Sequence, residues 1–302
     1  MPKSRSKVLI VAAFFAIYVI WGSTYLLNKI AVTQLPALFL ASIRFSSAGL
    51  IIFAIAKFMK LNLKISKRQF INCTVAGFLF LVYGNGVFVW SLKFVDSGFG
   101  ALEASTQPLF VLLLMRLIDG KKMKTKSIIG ILLGIVGMYL LVSQNEMVMQ
   151  EGSVLGMFMI LTCVLSWSYA SVFVAKADLP SNFFVSTGYQ MLIAGFLLIL
   201  SSLLLGETWI SPLAWTQPVQ ISMILLIVFG IVAFTAFNYL LKTVSTEKVT
   251  TSAYVNPIIA LILGWYVLDE RLSLQSIIAA AILLTGVYFI TSRNKITTPP
   301  EI

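Results

Sequence analysis

The sequence predicts an all-α integral membrane protein with ten transmembrane helices, arranged as two inverted repeats of five helices each. Apolar residues fill 59% of the 302 positions and charged residues only 11%, whereas a soluble domain carries about 25% charged residues. Ten apolar stretches reach the length of about 20 residues that a hydrocarbon core of roughly 30 Å requires, and the second half of the chain resembles the first. Ten such helices with short loops occupy about 300 residues, so we expect no nucleotide-binding or catalytic domain in this chain.

The ten apolar stretches cover most of the chain. Eight of them contain no Asp, Glu, Lys or Arg over at least 19 residues, and the second and fourth each contain one charge, Arg44 and Glu103. In chain order, the predicted spans cover residues 8–28, 38–58, 69–92, 99–118, 127–145, 152–175, 179–206, 208–241, 249–268 and 272–292. The first is longer than the apolar part of a signal peptide, about 7–15 residues. We therefore predict that it is a membrane span.

The distribution of Lys and Arg between the loops predicts the orientation in the membrane. With a cytoplasmic N-terminus, 18 of the 22 Lys and Arg residues fall on the cytoplasmic side and three, Lys29, Lys93 and Arg271, on the outer side. Cytoplasmic loops carry the excess of Lys and Arg, so we expect a multi-pass protein of the cytoplasmic membrane with both termini inside. The formal net charge of +11 has the same explanation, and we expect no binding to nucleic acid.

The two halves of the chain repeat at a shift of 149 residues, without a gap over about 50 positions. We predict a first repeat over residues 1–148 and a second over residues 149–302. Each repeat has five spans, an odd number, so the second is inverted relative to the first. Such repeats recur in secondary transporters, whose substrates bind near the bilayer midplane between the repeats. The aligned pairs include Lys93 with Lys242, Pro108 with Pro257, Gly137 with Gly286 and Tyr139 with Tyr288.

Several kinds of chemistry lack the residues that they need. The chain contains no histidine, which excludes Ser-His-Asp triads and H-E-x-x-H zinc sites. Its two cysteines, Cys73 and Cys163, lie in separate apolar spans, so neither a disulfide framework nor a cysteine metal site is indicated. No phosphate-binding G-x-x-x-x-G-K-S/T sequence occurs. We therefore predict a protein that is not an enzyme and needs no metal or other cofactor.

Arg44 and Glu103 are charges inside predicted spans. A charged side chain at the centre of a span costs roughly 2.5–3.5 kcal/mol, so each needs a compensating interaction. At 1.5 Å per residue, both lie roughly 6–8 Å below the outer edge of the membrane, a depth that permits an ion pair. Two hypotheses stay open. In the first hypothesis, Arg44 binds an anionic group of the substrate, while Glu103 binds an amine or carries a coupling proton. In the second, the two side chains only hold the helices together, either as an ion pair or by extending toward the outer membrane surface.

Two prolines at equivalent positions predict kinks in the fourth and ninth spans. Pro108 follows Gln107, and Pro257 follows Asn256. Proline lacks the N–H that would bond the carbonyl four residues earlier, so each helix is expected to bend and to free a carbonyl group. An amide beside a freed carbonyl could line a substrate site. Alternatively, a neighbouring helix satisfies the amide and the kink serves packing.

Other polar and aromatic residues inside the spans are candidates for the lining of a site. Aromatic walls with a few polar groups suit a small organic solute. The stronger candidates are Trp21, Tyr83, Asn85, Trp167 and Asn238, and the weaker ones are Tyr25, Tyr169, Tyr189, Gln190, Tyr239 and Tyr254. Four tryptophans near span ends are typical of interfacial anchors: Trp90, Trp209, Trp215 and Trp265.

Small residues predict that the fifth and tenth spans pack together. Small side chains let helix backbones approach closely, and we expect this pair to lie away from the substrate pathway. A homodimer contact is the alternative, so monomer and homodimer both stay open. The residues concerned are Gly130, Gly134 and Gly137 in the fifth span and Ala279, Ala280 and Gly286 in the tenth.

The run Trp21-Gly22-Ser23, with Pro36 and Arg44 after it, resembles the first two helices of the EamA branch of the drug/metabolite transporter superfamily. The segment 268–273, Leu-Asp-Glu-Arg-Leu-Ser, is similar to the one before the last helix of that family. The resemblance covers essentially the whole chain. It implies ten helices and the export or exchange of small metabolites, often amino acids or related compounds. In the first repeat, Lys121 replaces the acid that corresponds to Glu270, so no role for an acid carries over there.

Together, the residues and the resemblance predict a secondary transporter in the lipid bilayer that moves a small-molecule substrate by alternating access. A proton carried by Glu103 is one coupling mechanism, and facilitated diffusion is the other. A non-transporting membrane assembly or receptor protein is the alternative function, since it would need no polar cavity. The charges at residues 269–271 are either a solvated run in an outer loop or an outer gate.

Overall fold

The computed structural model describes residues 3–120, 125–143, 151–250, 252 and 255–291. Throughout these residues the regular secondary structure is helical, and no strand occurs among them. The predicted all-helical fold is therefore confirmed. We number the helices α1 (residues 3–32), α2 (Ala37–Phe58), α3 (Lys67–Ser91), α4 (Ser97–Ala104), α5 (Gln107–Asp119), α6 (Thr125–Val142), α7 (Ser153–Lys176), α8 (Phe183–Leu204), α9 (Gln217–Thr243), α10 (Thr246–Val249), α11 (Asn256–Leu268) and α12 (Leu274–Thr291).

Seven helical stretches in the described part of the chain are long and apolar enough to cross a membrane. They are α1, α2, α3, α7, α8, α9 and the stretch Ser97–Ile118, which contains α4 and most of α5. Three shorter apolar helices, within α6, α11 and α12, lie at the positions of the fifth, ninth and tenth predicted spans. Hydropathy therefore identified a helical membrane protein correctly, and the crossing of the membrane by ten helices stays a prediction.

Helix α1 is longer than the predicted first span, which ended at residue 28. It continues to Val32 because the charge of Lys29 finds partners inside the protein. The Lys29 Nζ donates to the carbonyl oxygens of Leu92 and Val95, each at 2.7 Å. A lysine in this position therefore fastens the end of α1 to the turn between α3 and α4 instead of ending the helix.

Two helices contain π-helical segments, Ala16–Ile20 in α1 and Phe78–Val87 in α3. Such segments interrupt the regular α-helical bonding, and buried carbonyl groups near them need other donors. In α3, the Ser166 Oγ donates to the carbonyl of Leu79 at 2.8 Å, and the Cys163 Sγ donates to the carbonyl of Tyr83 at 3.5 Å. Both donors belong to α7, so the π-helical segment of α3 is held against α7.

Glycines allow two helix pairs to approach closely. Between α2 and α8, a Cβ atom at Gly195 would lie 2.7 Å from the backbone nitrogen of Ser46. Between α6 and α12, a Cβ at Gly137 would lie 3.0 Å from the backbone nitrogen of Leu283, and one at Gly286 would lie 2.7 Å from a carbonyl oxygen of α6. The predicted packing of the fifth span against the tenth is thus confirmed.

The loop after α8 caps the start of α2. The Glu207 carboxylate accepts hydrogen bonds from the backbone nitrogens of Leu38 and Phe39, at 3.1 and 2.7 Å, and from the Ser202 Oγ at 2.7 Å. A negative charge at this end of a helix satisfies free N–H groups and interacts favourably with the helix dipole. Glu207 therefore links the start of α2 to the end of α8.

We expect Glu207→Ala to lower the free energy of unfolding by about 1–2 kcal/mol, the usual cost of losing a helix cap. Two N–H groups at the start of α2 would lose their acceptor. Thermal unfolding of the purified protein in detergent measures the change. The control is Glu151→Ala, which removes an exposed carboxylate. Equal unfolding temperatures for the two variants would contradict a stabilising role of the cap.

Candidate functional site

An interhelical cavity is the candidate binding site. It contains about 760 Å³ of space, counted with its open mouth, and its walls come from α1, α3, α4, α5, α7, α9 and α11. Among the lining residues are seven of those predicted from the sequence: Trp21, Tyr25, Asn85, Gln107, Trp167, Asn256 and Pro257. Residues from both halves of the chain therefore meet at one site.

Helix α1 supplies one wall of the cavity. Trp21, Thr24, Tyr25 and Asn28 all line it, and intervals of three and four residues put side chains on one face of a helix. Sequence reasoning named Trp21 and, more weakly, Tyr25, but it missed Thr24 and Asn28. Their spacing from Trp21 is a signal that could have identified them.

Aromatic rings form a connected cluster beside the amides. The ring centroid of Trp21 lies 5.4 Å from that of Trp167 and 5.1 Å from that of Phe237. Phe80 lies 4.8 Å from Trp167 and 5.6 Å from Phe237. Edge-to-face and tilted pairs at these distances are stabilising. The cluster fixes the two tryptophan rings that face the cavity, and sequence reasoning missed both phenylalanines.

Arg44 lies behind the cavity and connects two of its amides. Its side chain is 3% exposed, and its Nη1 donates to the Oδ1 atoms of Asn28 and Asn85, both at 3.3 Å. The Arg44 Nε has no hydrogen-bond partner. Arg44 also lines a smaller pocket that shares Trp21 and Asn85 with the cavity. The guanidinium is therefore placed to orient both amides.

The structural pairing of Arg44 with Glu103, one of the hypotheses from the sequence, is wrong. No Lys or Arg nitrogen of the described residues lies within 4.0 Å of the Glu103 carboxylate. Similar depth does not ensure contact, because Arg44 faces α9, where a Cβ at Gly230 would lie 3.6 Å from its Nε. Glu103 is 2% exposed, and its helix packs against α7. It is absent from the residues that line the cavity.

The fourth predicted span is interrupted next to Pro108. Helix α4 ends at Ala104, two residues form a turn, and α5 begins at Gln107 with Pro108 in its first turn. The Gln107 Nε2 donates to the Ser171 Oγ at 3.4 Å. Pro108 is buried but does not line the cavity, whereas Ala104 and Gln107 do. Because Pro108 has no N–H for the Ala104 carbonyl, polar backbone is available at the cavity wall.

The ninth predicted span is interrupted in the same way. Helix α11 begins at Asn256 with Pro257 in its first turn, and the short α10 precedes it. With its amide nitrogen turned toward α1, the Asn256 side chain donates to the carbonyls of Ile17 and Tyr18, at 3.0 and 2.8 Å. These carbonyls belong to the π-helical segment of α1. Asn256 therefore joins the second helix break to the irregular part of α1.

Tyr83 and Asn238 lie outside the cavity lining. Tyr83 is 37% exposed, because residues two apart in a helix do not share a face and Asn85 occupies the inner one. Asn238 is buried in a separate polar cluster, where its Nδ2 donates to the Thr187 Oγ1 at 3.3 Å and its Oδ1 accepts from the Gln190 Nε2 at 3.5 Å.

Of the weaker candidates for the site lining, only Tyr25 is found at the cavity among the residues that the structure describes. Tyr25 lines the cavity, Tyr169 is 45% exposed, and the Tyr189 hydroxyl donates to the Leu63 carbonyl at 3.0 Å. Tyr239 contacts the ring of Phe183. Tyr254 and Lys121 lie outside the described residues.

In the loop before α12, Asp269 and Arg271 are exposed, as in a solvated run, whereas Glu270 is partly buried. The Glu270 carboxylate accepts from the backbone nitrogens of Ser97 and Gly98, at 2.9 and 3.1 Å, and from the Ser97 Oγ at 2.7 Å. Glu270 thus caps α4. Burial raises the pKa of the nearby Asp96, and the charge of Glu270 raises it further, while Lys29, 4.0 Å away, lowers it.

Apolar helices that surround a cavity of tryptophan rings and amides are typical of one class, the polytopic helical membrane proteins with an internal cavity. The chain belongs to the EamA-like transporter family, whose family model matches residues 8–143 and again residues 154–292. The resemblance read from Trp21-Gly22-Ser23 and the segment before the last helix is thereby confirmed. The protein is a member of a family of membrane transporters.

Curated relatives cover nearly the whole chain. The inner membrane transporter YedA of Escherichia coli K12, described as uncharacterized, is 32% identical over 289 residues, which are 95% of this chain and 92% of the relative. A "Probable amino-acid metabolite efflux pump" of the same strain is 25% identical over 281 residues, 90% of this chain and 91% of the relative. The uncharacterized transporter YoaV of Bacillus subtilis is 21% identical over 294 residues, 96% of this chain and all of the relative.

A solved structure described only as "Crystal structure of protein" has the same fold. It superposes with a TM-score of 0.68 at 18% sequence identity and covers 94% of this chain and 97% of its own. At this identity the likeness concerns the fold.

Proposed function

We propose that this protein is a secondary transporter of the cytoplasmic membrane that exports or exchanges a small organic metabolite, an amino acid or a related compound, by alternating access. The observation that carries the proposal is the cavity, which lies against both helix breaks. Gln107 and Asn256, the first residues of α5 and α11, line it together with Trp21 and Trp167. In many secondary transporters, discontinuous helices form the substrate site at the interface between two repeats, and alternating access is a movement of one repeat against the other around that site.

Two inverted repeats, residues 1–148 and 149–302 with five spans each, are part of this proposal. The double match of the family model supports them. Helix packing supports them as well. In the proposed repeats, α1 corresponds to α7, α3 to α9, and α5 to α11. The contact of α1 with α9 has its counterpart in the contact of α7 with α3, and the contact of α1 with α11 has its counterpart in the contact of α7 with α5. With 18 Lys and Arg residues on one side, we place both termini in the cytoplasm.

The cavity chemistry supports an amino acid or a similar solute. Its tryptophan rings offer apolar contact area, and the amides of Asn28, Asn85 and Gln107 offer hydrogen-bond donors and acceptors. Arg44 behind two of these amides favours an anionic group on the substrate. The relative described as an amino-acid metabolite efflux pump agrees with this class.

Entrance counterflow in proteoliposomes tests the function, because it requires no driving force. Vesicles are loaded with a panel of amino acids, nucleobases, nucleosides and small organic cations, and uptake of each labelled compound is followed. We expect one compound to accumulate, and Trp21→Ala to slow its uptake about tenfold through the loss of aromatic contact area. Trp265→Ala is the matched control, since Trp265 is 57% exposed outside the cavity lining.

Trp21→Phe tests whether a loss of uptake reflects binding rather than folding, and monodispersity of each variant in detergent is checked first. If no compound accumulates with well-folded wild-type protein, the function is instead that of a non-transporting membrane assembly or receptor protein. Equal uptake in the two tryptophan variants would exclude this cavity as the site.

A further inference from the structure

Glu103 is a buried charged residue whose side chain is incompletely satisfied. It is 2% exposed, and its Oε2 has no hydrogen-bond partner. Arg44, the other charge deep in a span, donates to Asn28 and Asn85 instead. An ionised carboxylate without a partner in an apolar interior is very costly, and such a group takes up a proton instead. The surroundings of Glu103 therefore suit the neutral acid.

Among the residues that the structure describes, no Lys or Arg nitrogen lies within 4.0 Å of the Glu103 carboxylate. The helices α7 and α1, which pack against α4, contribute Cys163 and Tyr25 to the cavity lining. Lys29, Asp96 and Glu270 lie at the outer end of α4, where Glu270 caps the helix and Lys29 donates to backbone carbonyls. Six residues separate Ser97 from Glu103, roughly 9 Å along a helix, so these charges are engaged about two turns away.

The position of Glu103 beside the cavity favours a proton over a substrate amine. Ala104 and Ser105, the next two residues, line the cavity, and so does Cys163, but Glu103 does not. An ammonium group bound in the cavity would therefore not contact the carboxylate directly. A proton can reach such a group through small displacements of the surrounding side chains.

A helix break lies next to Glu103. Helix α4 ends one residue after Glu103. In the turn that follows, the Ser105 Oγ and the Thr106 Oγ1 donate to the carbonyls of Leu102 and Glu103, at 2.6 and 2.7 Å. Sharp changes of helix direction occur where the backbone bonding is interrupted, so this turn is the place where α4 and α5 can change their relative angle.

We propose that Glu103 is a proton-binding site that couples transport to the proton gradient, an inference that rests on the proposed transport function. The carboxylate takes a proton from water when the break opens to one side of the membrane, stays neutral while buried, and returns the proton to water on the other side. No other bond forms or breaks. The cavity amides, two of which Arg44 orients, bind the substrate, so the two ligands use adjacent sites.

Proton binding is tested first without any substrate. Infrared spectra of the protein in lipid at neutral pH are compared for the wild type, Glu103→Gln and the control Glu207→Gln. We expect a protonated-carboxyl band that disappears in Glu103→Gln and persists in Glu207→Gln. Absence of the band from the wild type, or its persistence in Glu103→Gln, would overturn the proposal.

Coupling is tested with the compound identified by counterflow, at zero membrane potential and a pH gradient of one unit. One coupled proton predicts a steady concentration ratio of about tenfold for the wild type, because one pH unit is a tenfold difference in proton activity. The direction of accumulation distinguishes symport from antiport. For Glu103→Gln we expect a ratio of one with counterflow retained, and Glu103→Asp should restore part of the gradient response.

The outcomes separate the two proposals. Counterflow by the wild type without any response to the pH gradient would leave transport standing and overturn proton coupling. A response to a sodium gradient in place of the proton gradient would do the same. Absence of counterflow from the wild type would contradict the transport proposal, while the infrared comparison still decides whether Glu103 binds a proton.

Discussion

Replacing Arg44 with alanine is expected to reduce counterflow by tenfold to a hundredfold. Its Nη1 donates to the Oδ1 atoms of Asn28 and Asn85, which turns the two carbonyl ends toward the guanidinium. A hydrogen bond to a charged group contributes about 1.5–3 kcal/mol, and about 1.4 kcal/mol corresponds to a factor of ten. Without Arg44, both amides are free to reorient, and the positive charge behind the cavity is lost. Initial rates at equal amounts of inserted protein measure the effect.

Arg44→Lys separates charge from geometry in this experiment. Lysine keeps the charge but cannot present a planar guanidinium to two acceptors, so we expect a rate between those of the wild type and Arg44→Ala. Arg68→Ala removes an exposed arginine of α3 and should transport normally. Wild-type rates in Arg44→Ala would contradict a role of Arg44 in binding.

Enlarging Gly195 is expected to destabilise the whole fold, because α2 and α8 touch at this position. A Cβ there would lie 2.7 Å from the Ser46 nitrogen and 2.9 Å from its Cα, and backbone atoms cannot rotate away. Overpacking costs about 1–3 kcal/mol, so Gly195→Ala should lower the unfolding temperature, and Gly195→Val should lower it further.

Gly230→Ala is the matched control for this prediction. Its added Cβ would meet no atom closer than 3.6 Å, and alanine in a helix is favoured over glycine by about 0.5–1 kcal/mol. We therefore expect its unfolding temperature to equal or exceed that of the wild type. Equal unfolding temperatures for Gly195→Ala and Gly230→Ala would show that the α2–α8 contact adjusts at no cost.

Features that depend on neighbours in the chain could be predicted from the sequence. Hydropathy identified the helices, because an apolar stretch of sufficient length requires no knowledge of its partners. Pro108 and Pro257 marked the two helix breaks, since a missing N–H acts on the helix that contains it. The glycines of α6 and α12 predicted their contact, because only small residues let two backbones approach closely.

The partners of the polar side chains depend on distant parts of the chain. Arg44 and Glu103 lie at similar depth, but helix rotation turns Arg44 toward Asn28 and Asn85 and leaves Glu103 beside α7. Asn256 bonds carbonyls of α1 that are exposed by a π-helical segment, which the apolar sequence around Ile17 does not reveal.

The sequence by itself determined the helical membrane fold, the family and the places where two spans depart from a regular helix, because hydrophobic burial and proline geometry act within one helix. It predicted kinks at these places, where the structure has the starts of α5 and α11. Only the tertiary structure decided which face of each helix meets the cavity, which of Tyr83 and Asn85 lies inside, and which carboxylates cap helices. The physical reason is that hydrogen bonds need angles and distances of a few ångströms between residues far apart in the chain, which only the packing of the helices sets.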